Sequence, residues 1–187
     1  MEETKDKVRI VIDTNVIISS LVSSEGITQA ILSFLIGNRK VELLIPKNVY
    51  HEVKRYIGLI SRKAKMEYRA VKALIDTLFR NMKTIDEEKY SEKDVKFYKS
   101  LVKDESDIPL VIVAYTFRPS IILTYNKRDF HVTKLKELKI EVVEPKEIPN
   151  ILNTYLKFSR EIKKKGKRIS LKSILEILKL SKSIKIF

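Results

Sequence analysis

Four short stretches of this 187-residue chain bring acids together with small polar side chains. They are Asp13-Thr14-Asn15 after the apolar run Val8–Ile12, Glu52 six residues beyond Pro46, Asp104-Glu-Ser-Asp107 ahead of Ile108-Pro-Leu, and Thr124-Tyr-Asn126 with Asp129 close behind. Carboxylates gathered in one place suit a hard divalent cation such as Mg²⁺ or Mn²⁺, which prefers carboxylate and water oxygens. Without a cation such acids repel one another, and their titrations become raised and coupled. With one, a bound water loses its proton more readily and charge building on a phosphoryl group is stabilised. Each acid also has a plainer reading. Asp13 and Asp107 suit helix N-caps, and Glu52, near Lys54 and Arg55, suits a solvated helix face.

Other chemistries find little support. The absence of Cys removes disulfides, thiolate metal sites and cysteine nucleophiles, and fits a reducing compartment. His51 and His131 lack metal-ligand spacing and read as surface or helix-end residues. No G-x-x-x-x-G-K-[ST], G-x-G-x-x-G or G-x-S-x-G occurs, which argues against nucleotide kinases, dinucleotide enzymes and serine hydrolases.

The elements that must position the acids follow from hydrophobic periodicity. Val8–Ile12, Val41–Ile45, Ser120–Thr124 and Ile140–Val143 are short β-branched runs expected as buried strands. Between them, helical spacing is predicted over residues 27–38, from Val49 to Ile60, from about Lys63 to Phe79, around Val95–Leu101, from Asp107 through Ala114, and briefly at Lys134–Leu138. The charged stretch Asp86–Asp94 reads as a loop. Strands alternating with helices imply an α/β fold with a parallel sheet covered on both faces. In such sheets the working edge lies beyond the strands' carboxyl ends. With ordinary right-handed crossovers, Asp13, Glu52 and Asp107 converge there.

Apolar residues make up 44%, ample for a core, and Gly and Pro are scarce, with four and five copies. The net charge is +14, yet from Lys157 onward eleven Lys/Arg face only Glu161 and Glu176. A globular body with a basic tail is the footprint of a polyanion binder, although Lys-rich surfaces also serve solubility alone. Met1–Lys7 resembles neither a signal nor a transit peptide, and no apolar run nears the roughly 18–20 residues of a membrane span. A cytoplasmic protein without membrane attachment is expected.

In order, the stretches read Val11-Ile-Asp13-Thr-Asn15-Val-Ile-Ile-Ser19, then Pro46-x-x-Val-x-x-Glu52-Val, then Asp104-Glu-Ser-Asp107-Ile-Pro-Leu-Val-Ile-Val-Ala114, then Thr124-Tyr-Asn126-Lys-Arg-Asp129-Phe130. This resembles the PIN-domain ribonucleases, especially the toxins of VapBC-type toxin–antitoxin systems. The likeness runs from about Val8 to Val143. It implies a three-layer α/β/α fold over residues 8–145; residues 146–187, beyond the likeness, read as a basic helical extension. It implies that Asp13, Glu52 and Asp107 hold Mg²⁺ or Mn²⁺, that Asn15 and Thr124 orient the site, and that RNA is cut to leave a 5′-phosphate and a 3′-hydroxyl. A cognate antitoxin and a homodimer are family expectations. One departure stands out: the family's usual Asp two residues after the Thr is here Asn126. Either Asp129 shifts in to complete the site, or Asn126 serves through its carbonyl oxygen.

Two other functions compete. A PIN-like fold without activity would serve as an RNA-binding or assembly module, a reading that Asn126 and the basic tail favour. A haloacid-dehalogenase-like phosphatase would use the first-strand Asp as nucleophile, but it needs an acid where Asn15 stands. The tail has no counterpart in a minimal toxin. A helix at residues 151–158 and the stripe Leu171, Ile174, Leu175 and Leu178, capped by Ser170, are predicted there. The tail either binds RNA phosphates or packs its stripe on the body or on a second subunit.

Overall fold

The computed structural model of the protein describes residues 7–23, 26–88 and 95–151. The tail's predicted helices and most of the 146–187 extension lie outside those residues. Five strands form one parallel sheet: β1 (Val8–Ile12), β2 (Val41–Pro46), β3 (Lys83–Ile85), β4 (Ser120–Leu123) and β5 (Ile140–Val143), in the order β3-β2-β1-β4-β5. The eight α-helices among the described residues are α1 (Thr14–Val22), α2 (Ile27–Gly37), α3 (Lys47–Arg55), α4 (Ile57–Ala64), α5 (Tyr68–Arg80), α6 (Val95–Lys99), α7 (Ile108–Thr116) and α8 (Val132–Glu137).

The apolar runs explain this arrangement. Parallel strands are bridged by crossovers that lay helices on both faces, so their residues are predominantly apolar. In β4 and β5 every residue is buried, and Ile10, Val11 and Ile12 of β1 are fully enclosed. Helix α7, with Leu110 through Ala114 all buried, lies across β1, β2 and β4. Helix α1 packs against α2, α3 and α4. The fold is the expected α/β sheet flanked by helices. No single described helix is long and apolar enough to cross a membrane.

Three local expectations are corrected. Strand β3 lies where no strand was expected, because only Ile85 of its three residues is buried and so short an edge strand shows no alternation. The helix predicted across Val49–Ile60 breaks at Tyr56, between α3 and α4. Val53, Ile57 and Ile60 remain buried on both sides of that break, which is why the helical period reads straight through it. The helix predicted from Lys63 instead starts at Tyr68, since α4 closes on Lys65 in the left-handed region at φ 53°.

Register places the working edge. Ile12 pairs with Leu123, so the next residues, Asp13 and Thr124, leave the sheet side by side. Chain order reverses here: β1 is flanked by β2 on one side and β4 on the other. This is the switch point at which open α/β sheets carry their sites.

Candidate active site

Asp13 follows β1, and its backbone N–H still donates to Leu123 O at 3.1 Å. Its side chain is only 7% exposed. Thr124 Oγ1 donates to Asp13 Oδ2 at 2.6 Å, and Asn15 Nδ2 donates to the same oxygen at 2.7 Å. Asn15 Nδ2 also reaches Thr124 Oγ1 at 3.2 Å, and its Oδ1 accepts from the Tyr125 backbone at 3.2 Å. Thr124 Oγ1 accepts in turn from Asn126 N–H at 2.9 Å. The ends of β1 and β4 are thereby tied around one carboxylate oxygen.

Glu52 comes from α3, whose first turn follows the end of β2. Thr14 Oγ1 donates to Glu52 Oε2 at 2.7 Å, linking the residue after Asp13 to the second acid. Asp107 stands immediately before α7. Asp13 and Asp107 occupy helix N-cap positions, yet neither side chain makes the capping bond. Asp13 is held by Thr124 and Asn15 at one oxygen, and both acids face the cleft.

Asp13, Glu52 and Asp107 line a single cleft of about 250 Å³ together with Asn15 and Asn126. Asp129 is not among its lining residues; its 3-10 turn (Lys127–Asp129) leads instead into Phe130, which bridges to Val102. His51 and His131 do not line the cleft either.

A family model for the PIN domain matches residues 11–145. The chain belongs to the PIN domain family. None of the curated proteins matches it. Among solved structures, a chain of VapBC2 from Rickettsia felis, bound to a DNA fragment from the promoter, is similar at 15% identity and a TM-score of 0.47, over 73% of this chain and 98% of that one. That is a likeness of outline, and nothing in the site rests on it.

The electrostatics of this PIN domain's cleft combine burial of the acids with their mutual negative charge. Burial, then the charges of Asp13, Asp104, Asp129 and Glu52, push the Asp107 carboxyl up to about 7. Burial also raises Asp13, against the Thr124 hydrogen bond and the nearby backbone N–H groups of Asn15 and Thr14, with the Glu52 charge adding to the rise. No ion pair reaches Asp13, Glu52 or Asp107 among the described residues.

Among the described residues, no three Asp, Glu or His side chains already stand together as a metal cage. The donors nevertheless fit a hard cation in kind. All are oxygen ligands, their mutual repulsion calls for positive charge, and the buried Asn48 Oδ1 on the cleft wall lacks a hydrogen-bond partner. Asp13, Glu52 and Asp107 would hold such an ion.

Sequence reasoning gave no role to Asn48, Tyr56 or Ser106, which also line the cleft. It also missed Glu87, buried just beyond β3. Glu87 accepts from Lys47 N–H at 2.7 Å and Asn48 N–H at 3.1 Å, closing the start of α3, where Pro46 at the N-cap offers no side-chain acceptor. An acid serving a helix start from 40 positions away leaves no local signature.

Proposed function

We propose that this PIN domain is a metal-dependent endoribonuclease that hydrolyses RNA phosphodiester bonds in the cleft between Asp13, Glu52 and Asp107. The observation that carries the reading is the convergence of these three acids on one cleft at the sheet's switch point, where burial and then their mutual charge raise Asp107. Asp13 is held in one orientation by Thr124 and Asn15, so its direction is set before any ligand arrives. Glu52 is held by Thr14 and is the carboxylate best placed to orient an attacking water, with Asp129 acting from outside the cleft through its charge. Asp107 keeps its proton up to about pH 7 in the metal-free protein and releases it as a cation is taken up. Asn126 stands on the wall where the family's usual fourth acid would be and offers a neutral carbonyl oxygen. When bound, Mg²⁺ or Mn²⁺ would lower the pKa of a water and offset charge on the phosphate under attack.

A toxin-type role, with a cognate antitoxin and a homodimeric assembly, is the setting that accompanies this reading. It is supported by the order and spacing of the four acidic stretches.

The test is incubation of full-length protein with an end-labelled structured RNA in EDTA, Mg²⁺ or Mn²⁺, followed by end-group analysis. The reading predicts cutting only with metal, leaving 5′-phosphates. A well-folded protein that binds several RNAs and cuts none with either ion would instead be a binding module built on the same fold.

A further inference from the structure

Beside the acidic cleft lies a second, larger depression of about 660 Å³. Consecutive residues connect the two, Tyr125 lining the larger and Asn126 the smaller. Its character is opposite. Lys103, Lys127, Arg128, His131 and Lys134 line it, with Glu144 as its one acid. Glu144 is already taken by Lys146 at 2.7 Å, and Lys127 by Glu147 at 3.0 Å. Lys134 Nζ donates to Ser100 O at 3.1 Å, a neutral partner that leaves its charge uncompensated. Lys103 and Arg128 are exposed, and neither has an ion-pair partner among the described residues.

Tyr125 gives this groove a second property. Its ring is 40% exposed, yet the residue is pinned at both ends: its N–H donates to Asn15 Oδ1 at 3.2 Å, and its hydroxyl is hydrogen-bonded to Thr28 Oγ1. An exposed aromatic that cannot swing away costs little entropy when a flat partner stacks on it. A basic groove with a fixed aromatic at its inner end matches the way single-stranded nucleic acid is held, by phosphate contacts along the wall and base stacking on the ring. A duplex keeps its bases stacked on one another and would leave such a ring unused.

We propose that this groove seats a single-stranded RNA segment next to the bond being cut, with one base stacked on Tyr125 and adjoining phosphates held by Lys103, Arg128 and Lys134. It rests on the nuclease reading only for the position of the cut. The seat delivers the strand past Asn126 into the acidic cleft, so the protein prefers unpaired RNA on that side of the cleavage point.

The test measures binding of a fluorescent 12-nucleotide uridine-rich RNA to the full-length chain in EDTA, where cutting is stopped. The double variant Lys103→Glu/Arg128→Glu should weaken binding at least about tenfold and flatten its salt dependence. The double reversal Arg69→Glu/Lys72→Glu, on α5 and away from the groove, should change binding by less than about threefold, because it leaves these phosphate contacts intact. Tyr125→Ala should lose roughly tenfold, and Tyr125→Phe clearly less, since Phe keeps the stacking ring and loses only the hydroxyl that pins it. A 5-iodouridine probe should crosslink to Tyr125. The proposal is overturned if the groove reversal does no more than the α5 reversal, if crosslinks avoid Tyr125, or if a polyglutamate peptide of equal charge displaces the RNA as well as unlabelled RNA does, which would make the groove a seat for an acidic protein segment. Binding that behaves as expected in a protein that never cuts would sink the nuclease reading and leave the seat standing. Cutting that needs Asp13 but ignores the groove would do the reverse.

Discussion

Thr124 donates its hydroxyl to Asp13 Oδ2 at 2.6 Å, joining two residues 111 positions apart. The hydroxyl is fully buried and accepts from both Asn15 Nδ2 and Asn126 N–H. Thr124→Val keeps the shape, removes the donor and strands those partners. It should cost about 1–3 kcal/mol, the usual penalty for unpaired buried polar groups. Urea unfolding measures this, and a variant as stable as wild type would mean that the tie does not hold the strand ends.

A second expectation concerns Glu52. Thr14→Val removes its hydrogen bond at 2.7 Å without touching the acid itself. Cleavage should fall by about tenfold or more for a loss of roughly 1 kcal/mol in stability, whereas Thr14→Ser should restore the rate. Equal rates in all three proteins would show that Glu52 needs no such support.

Asp107 gives stability a pH dependence of defined sign. Its folded pKa of about 7 lies above the ordinary 3.8, so the folded state binds the proton more tightly than the unfolded chain. The stabilising contribution of the protonated acid is complete below about pH 4 and is lost as pH rises through 7; Asp13, also raised, acts in the same direction. Melting of metal-free protein should therefore shift down between pH 5 and 8, and Asp107→Asn should flatten the profile. Mn²⁺ should reverse the loss in wild type but not in the variant. A melting temperature independent of pH in EDTA would contradict the burial and crowding of these carboxyls.

How much of this could be read from the chain differs by element. The four apolar, largely β-branched runs announce β1, β2, β4 and β5 because strands covered on both faces are predominantly apolar. Once those are placed, Asp13 and Thr124 follow as the polar residues that end neighbouring strands. Glu52 and Asp107 also reach the cleft, because α3 and α7 both start at that edge. Other features stayed hidden for physical reasons. Strand β3 buries only Ile85, and the break at Tyr56 preserves the burial rhythm it interrupts. Glu87 sits in a stretch so charged that it reads as solvated loop, and only the tertiary structure shows it buried beneath α3. The relation of Asn126 and Asp129 to the acids was equally hidden: Asn126 lines the cleft, and Asp129 acts on Asp107 through its charge.

Glu87 supplies a further expectation. It satisfies the first N–H groups of α3, the helix that carries Asn48 and Glu52. Glu87→Ala should cost about 1–2 kcal/mol, the scale of losing a charged cap at a helix N-terminus, and should lower cleavage through Glu52. Hydrogen exchange should show faster opening at Lys47 and Asn48 than in wild type. Unchanged protection there would remove Glu87 from the account.

The most direct test of the carboxylate cleft is single-turnover cleavage of a labelled RNA in Mn²⁺ by wild type, Asp13→Asn, Glu52→Gln and Asp107→Asn, each confirmed folded. Wild type should cut, and each variant should be slower by about 100-fold or more, the scale lost with a group that stabilises charge in the transition state. Cutting that persists at the wild-type rate in all three variants would place the chemistry elsewhere in the molecule and contradict the account.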